Sequence, residues 1–414
     1  MNRIHALTEL SARHAAEQMA RGDLRATDYA SALLQRAKAA EPYGALLHLD
    51  ADGVMASAAR LDSGPRPAPG ALPLYGVPLA YKDNIDVAGM PTTAGSAWMA
   101  DHRPRMHAGV TQRLMDAGAL ALGKTNLHEW CQGVTGHNHS FGPSRNPFDP
   151  ARVTGGSSGG NAALLGLRGT PMAIGTDTGG SVRVPAALCG LVGFRPTVGR
   201  WPHDGLVPIS PTFDTAGVMA RSVDDCVLAD HAVAGGPLRI VPTPLPGVRL
   251  GVPESYFWDD IEPPVAELAR ATLTRLCEAG AVLVPCDLSQ AGALFQEGAM
   301  SISLYEILPA LAAYFERHGR PFDARALADS IASPDVRPLF ERPLGPDAIT
   351  AAAYAHALHT LRPALQAAYR HCFAANDIAA LVFPTSPLTA ARIGDDVELT
   401  LCGRPTTAFQ SYIR

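Results

Sequence analysis

The sequence predicts an α/β fold, a single large domain whose mixed, mostly parallel β-sheet is flanked by helices. Three observations point there. Short apolar runs such as LYGVPLAYK, ALALG, PMAIG and VRLGV alternate with stretches of helical periodicity, as in a sheet covered by helices. With 414 residues, 47% of them hydrophobic, the chain can bury a large core. The aperiodic residues, rich in Gly, Asn, Pro and His, concentrate over 131–160, between elements, where loops that carry chemistry sit.

In chain order, residues 5–40 read as two amphipathic helices, the second opened by Thr27 and Asp28 as caps. SGPRPAPGALP is a loop, and LYGVPLAYKD is a short buried strand that delivers Lys82 at its end. A helix over 110–117, then Gly118, leads to a strand ending near Lys124. GNAALLGLRG reads as a helix, TPMAIGTD as a strand and SVRVPAALCG as a short helix. Later, VRLGVP, AVLVP and AALVFP are buried strands. PPVAELARATLTRLCEAG is a helix with Pro at its start, Gly at its end and Val265, Leu268 and Leu276 on one apolar stripe. Residues from about 290 to 375 are Ala-rich and helical in pattern, a cap or flank. No internal repeat or low-complexity linker interrupts this order.

Charge and composition exclude several classes. A formal net charge of -5 gives no electrostatic footprint for nucleic acid or an anionic membrane. The first residues lack an apolar signal region, and no uninterrupted apolar run reaches the roughly 18 residues of a membrane span. A cytoplasmic location is therefore expected. The seven cysteines are scattered, never in CxxC spacing, and read as free thiols. There is no HExxH, and His137 and His139 in GHNHS lack a third ligand, so they read as surface polar groups. No metal and no cofactor is expected.

Lysine usage is more pointed. Of 34 basic residues only Lys38, Lys82 and Lys124 are lysines. Arg keeps its proton in a protein, whereas a buried Lys can lose it and act as a base. Lys38 lies in a polar helical stretch, but Lys82 and Lys124 each end an apolar run and are candidates for a buried role.

The glycine-rich stretch TGGSSGGN, residues 154–161, admits several readings. A linker is a poor one, because buried-type helical sequence follows at once. A phosphate-binding loop would need Lys and Ser or Thr after the glycines, and none follows. Gly155 to Gly159 does satisfy G-x-S-x-G, but a nucleophile elbow follows a strand, and here GPSRNPFDPARVT precedes it. A second glycine-walled serine, Ser181 in GTDTGGSVRVPA, has the strand before it and the helix after it. There the N–H groups of Thr178, Gly179, Gly180 and Ser181 could converge as an oxyanion hole at a helix N-terminus. The competing reading is a glycine-rich turn capped by serine.

Taken together, YKDN, GGSSGG and GTDTGGSVRVPA, in that order, resemble the amidase signature family. Lys82 and Ser157 lie 75 positions apart, Ser157 and Ser181 24 apart. The similarity extends through GKTNLHEW, FGPSRNP, LCGLVGFRPT and SPTFDTAGVMARSVDD, so it covers nearly the whole chain, residues 1–414, with core motifs over 75–220. The resemblance implies the amidase signature fold, with Ser181 as nucleophile, Ser157 as a bridging serine after a cis peptide bond, and Lys82 as base. It also implies that Trp130, Cys131 and Gln132 line the acyl channel. Asp177 and Arg183 are expected to flank the nucleophile turn as a structural pair, Ser158 to support the loop, and Lys124 to be structural.

VPESYFWDDIEPPV, SLYEILPALAAYFERHG and ASPDVRPLF look most like the indoleacetamide and mandelamide hydrolase branch. The implied partner is a small amide substrate, with a homodimer as the expected assembly. The alternative is a glutaminase-type subunit of a tRNA-dependent amidotransferase, which would bind a protein partner. A non-catalytic scaffold of the same fold is a further alternative. The resemblance also implies further strands beyond TTAFQSYIR, so the C-terminus is expected to be shortened.

Overall fold

The computed structural model describes residues 3–236, 240–395 and 398–413. These form two compact units, Met1–Ile240 with Ala310–Pro338, and Val241–Pro309 with Leu339–Arg414.

The first unit is built on a six-stranded mixed sheet in the order β1-β3-β2-β4-β6-β5. Its strands are β1 (Leu46–Leu49), β2 (Pro78–Lys82), β3 (Leu120–Thr125), β4 (Met172–Thr176), β5 (Val192–Phe194) and β6 (Ala216–Ala220). Strands β3, β2 and β4 run parallel at its centre, whereas β1, β5 and β6 pair antiparallel at its margins. Every residue of β2, β4 and β6 is buried, which is why these strands read as continuous apolar runs rather than alternating ones. The register sets Lys82 opposite Thr125 and Tyr81 opposite both Lys124 and Ile174. The carboxyl ends of three parallel strands therefore share one edge, where α/β sheets present their ligands.

The predicted helices over 110–117, in GNAALLGLRG and in SVRVPAALCG form as Gly109–Asp116, Gly159–Gly166 and Arg183–Leu188. The N-terminal region differs from expectation in having three helices, Arg3–Thr8, Ala12–Arg21 and Ala26–Ala39. Thr27 and Asp28 do not cap the last of these. Asp62, from the helix Ala51–Ser63, accepts the N–H of Ala26 at 2.8 Å and of Thr27 at 3.1 Å, a cap supplied from a distant segment.

In the second unit, β7 (Arg249–Pro253), β8 (Val282–Cys286) and β9 (Ala380–Leu381) make a parallel sheet in the order β8-β7-β9. The hairpin β10 (Glu398–Leu401) and β11 (Arg404–Thr407) follows. The expected buried strand at AALVFP shrinks to two residues, neither of them buried. The helix Pro263–Glu278 forms, but its stripe is incomplete: Val265 and Leu276 are half-buried and Leu268 is 68% exposed. A three-stranded sheet offers too little apolar surface to bury a whole helix face.

The stretch 290–375 is helical as expected, yet its residues 310–338 belong to the first unit. Its helix Ala291–Arg317 is long and apolar enough to cross a membrane by length and composition, although no uninterrupted apolar run in it is that long. Pro309 lies inside it, and its Ile302, Ile307, Leu311 and Phe315 are buried.

Candidate active site

The edge created by β2, β3 and β4 gathers the predicted residues. Lys82 ends β2 and is fully buried, as is Ser157. Its Nζ donates to Ser157 Oγ at 2.8 Å and to Thr176 Oγ1, the last residue of β4, at 2.8 Å. Asn84 Nδ2 donates to the same Thr176 oxygen at 3.1 Å. Lys82 forms no ion pair among the described residues. Burial drives its pKa below the usual lysine value, and Cys131, Asp177 and Asp214 only partly offset this.

The carboxylate next in sequence, Asp83, is taken by the other buried lysine. Lys124 Nζ lies 2.9 Å from Asp83 Oδ1 and donates to Pro91 O at 2.7 Å and Thr92 Oγ1 at 3.0 Å. Lys124 is thus structural, as expected, and neutralises a charge that would otherwise sit beside Lys82. Replacing it leaves a buried carboxylate unpaired, so Lys124→Met is expected to cost about 3–5 kcal/mol of stability, read by denaturant titration. A loss under about 1 kcal/mol would show that the pair is not needed to hold this edge.

The glycines of TGGSSGGN answer to close backbone packing. A Cβ on Gly156 would come within 2.7 Å of Gly136 N and 3.0 Å of Gly133 O. One on Gly160 would strike the Ala45 carbonyl and lie 2.5 Å from Asn126 N. The Gly156–Ser157 peptide is cis. Ser158 N–H donates to Ser181 O at 3.1 Å and Ser158 Oγ to Thr176 O at 3.4 Å, which joins this loop to the turn that carries Ser181. The Ser181 hydroxyl itself makes no hydrogen bond among the described residues.

The turn 177–183 is built around Asp177, which is buried with both oxygens engaged. Gly180 N–H donates to Oδ1 at 2.9 Å and Val182 N–H to Oδ2 at 3.1 Å. Arg183 makes the expected pair, its Nη2 donating to Oδ1 at 2.8 Å, and Arg195 adds a second guanidinium at 3.2 Å. Burial opposes the charge on Asp177, but the two guanidiniums and the amide bonds hold its carboxyl below the usual range. One expectation is corrected here. The Gly180 amide is committed to Asp177, so of the four proposed oxyanion donors it is not available, whereas the amides of Thr178, Gly179 and Ser181 make no hydrogen bond among the described residues. Thr178 Oγ1 donates to Asp214 Oδ1 at 2.6 Å and so braces the turn from the other side.

Of the three residues expected to line the acyl channel, Trp130 and Cys131 are buried and Gln132 is half-exposed. Both Trp130 and Cys131 adopt left-handed backbone, with φ of 52° and 62°, which bulky residues seldom do. The Cys131 thiol lies near Lys82 and Thr176. Burial pushes that thiol up to about 11, against the pull of Lys82. Trp130 packs against Trp98 at 6.1 Å, and Trp98 meets Phe315 edge-on at 5.3 Å.

Residues that sequence patterns did not single out hold this turn in place. His128 N–H donates to Ser157 O at 3.0 Å, and His128 Nε2 lies 3.1 Å from Asp335. Buried Glu129 accepts from Ser96 Oγ at 3.0 Å and from Ser333 N–H at 2.8 Å. His137 and His139, expected as surface polar groups, stack on one another at 4.3 Å, His137 half-buried and His139 exposed.

With that geometry in view, the relatives are informative. The sequence profile of the family described as Amidase matches residues 28–412. The chain is 39% identical over 398 residues to an indoleacetamide hydrolase of Rhizobium radiobacter, covering 96% of this chain and 85% of that one. It is 38% identical over 358 residues to a mandelamide hydrolase of Pseudomonas putida, covering 83% and 68%. The glutamyl-tRNA(Gln) amidotransferase of Chloroflexus aurantiacus has a subunit that is 35% identical over 428 residues, covering 96% and 85%. A crystal structure described as an amidase superposes with a TM-score of 0.85 at 30% identity, over 98% of this chain and 88% of the other. The chain therefore belongs to the amidase family and is a hydrolase acting on carbon–nitrogen amide bonds.

Proposed function

We propose that this enzyme hydrolyses small carboxamides of the aryl- or alkyl-acetamide type to the acid and ammonia, with Ser181 as nucleophile, Ser157 as proton relay and Lys82 as base. One observation carries the proposal: a fully buried lysine without an ion pair donates to Ser157 at 2.8 Å. A serine hydroxyl needs a base to attack an amide, and a neutral lysine supplies one where no histidine does.

In the proposed cycle Ser181 Oγ attacks the amide carbon. Its proton passes to Ser157 as Ser157 passes its own to Lys82. The oxyanion is met by the N–H groups of Thr178, Gly179 and Ser181. When the tetrahedral intermediate collapses, the proton returns from Lys82 through Ser157 to the leaving nitrogen, and ammonia departs. Water then attacks the acyl-Ser181 ester over the same relay, freeing the acid and restoring the serine.

Indoleacetamide and mandelamide, for which two of the relatives are named, each carry an aromatic ring close to the amide, and the half-buried Trp98 ring, packed on Trp130 and Phe315, suits such a group. The seven free thiols suit a reducing cytoplasm. Ammonia release from indoleacetamide, phenylacetamide, propionamide and glutamine tests the substrate class. Turnover of the aryl acetamides is expected to exceed that of glutamine by about 100-fold or more in kcat/KM, as a pocket shaped for an apolar group rejects a zwitterion. Preferred turnover of glutamine would identify a glutaminase subunit instead.

A further inference from the structure

One buried cluster lies outside the residues of the proposed cycle. Asp86, four residues beyond Lys82, together with His102 and His318, brings one donor atom from each side chain within 4.8 Å of the others. Among the described residues no other three Asp, Glu, His or Cys side chains converge so closely. Asp86 is 1% and His102 3% exposed, and the His318 side chain 7%. Tyr314 closes the ring, its hydroxyl donating to Asp86 Oδ1 at 2.9 Å and lying 3.1 Å from His102 Nε2.

The contact between His318 and Asp86 is the telling one. His318 Nε2 stands 3.0 Å from Asp86 Oδ2, yet that approach lacks hydrogen-bond geometry and the buried nitrogen has no other partner among the described residues. Two donors that close, and not aimed at one another, stand as two ligands of one cation do. Zinc bonds of about 2.0–2.1 Å set tetrahedral donor atoms about 3.3 Å apart; the His318–Asp86 pair stands near that spacing, and all three donor atoms lie within 4.8 Å of one another.

We propose that Asp86, His102 and His318 form a site for a divalent transition cation of the zinc class, with the Tyr314 hydroxyl bonded to the ligating carboxylate. Two imidazoles and one carboxylate are a borderline donor set that favours such ions over magnesium or calcium. The hydrogen bond from Tyr314 orients Asp86 as outer partners of metal ligands do. Sequence spacing concealed the set, because its members are drawn from positions 86, 102 and 318. Tyr314 and His318 lie one helical turn apart, so the ion would tie residues 310–338 to the segment that follows Lys82. The same 310–338 segment supplies Ser333 and Asp335 to Glu129 and His128, which gives the ion a route to the active-site loop.

The test uses the full chain, stripped with a chelator and titrated with Zn²⁺ against a chromophoric competitor, with metal content and thermal unfolding read in parallel. One equivalent should bind and raise Tm. His318→Ala and His102→Ala should each weaken that affinity by about 100-fold or more, given that outer partners alone shift metal affinity by about 10- to 100-fold. A double variant of His137 and His139 should bind as the parent does. Co²⁺ added to the unaltered protein should give the visible absorption of a four-coordinate ion, a readout that needs no variant to fold. Absence of stoichiometric uptake, or equal uptake by the His318→Ala and parent proteins, overturns the proposal and leaves the cluster a buried hydrogen-bond network.

Discussion

Replacing Ser181 by Ala is expected to lower kcat/KM for the preferred amide by roughly 10⁴- to 10⁶-fold, the scale seen when a nucleophile that works as part of a unit is removed. The fold should survive. The Ser181 hydroxyl bonds nothing among the described residues, and its turn is held by Asp177 and by the Ser158 N–H on the Ser181 carbonyl. The change in stability should therefore stay within about 0.5 kcal/mol. Ser157→Ala removes the relay but leaves the nucleophile, so a loss of roughly 10²- to 10⁴-fold is expected. The two changes together should cost little more than Ser181→Ala alone, because a relay without a nucleophile has nothing to serve. Steady-state ammonia release and the mass of any acyl-enzyme adduct measure each step. Turnover by Ser181→Ala at the parental rate would remove the proposed nucleophile outright.

How much of this was legible in the sequence depended on whether a feature was local. Strand–turn–helix punctuation marked the turn at Ser181, and the scarcity of lysine singled out Lys82 and Lys124 as buried groups, as both are. The partners of those residues were not legible. Lys124 meets Asp83 because β3 lies beside β2 in parallel register, a pairing that no local pattern encodes. Thr176 reaches Lys82 for the same reason across β4. The loss of the Gly180 amide to Asp177 needed side-chain geometry, since glycine-rich spacing alone shows four amides and not which is engaged. The anchors from Ser333 and Asp335 were out of reach altogether, lying some two hundred residues beyond the loop they hold. Arg195 did leave a signal: it follows the strand VGF within a motif of the resemblance, where a buried acid at 177 calls for a second cation.

Lys82 offers the sharpest separation of catalysis from stability. Lys82→Arg keeps the charge but cannot supply a neutral base, and Lys82→Met keeps the bulk without any base. Each is expected to lower kcat by roughly 10³-fold or more. In the parent enzyme kcat/KM should rise with pH as Lys82 loses its proton, at an apparent pKa below the usual lysine value, because burial is what lowers it. Stability must then move with the same titration. Since the folded pKa lies below the unfolded value of about 10.4, the unfolded chain binds more protons between the two, and stability rises with pH across that interval. Below the folded pKa the buried ammonium costs the fold its full penalty; above the unfolded value the penalty is gone. Lys82→Met should accordingly be more stable than the parent at low pH, with an advantage that shrinks through the folded pKa and vanishes above about pH 10.4. Thermal unfolding of the two proteins from pH 5 upward measures it. A stability difference between Lys82→Met and the parent that does not change with pH would mean that the lysine keeps its ordinary pKa in the fold and is held as an ammonium, not as a base.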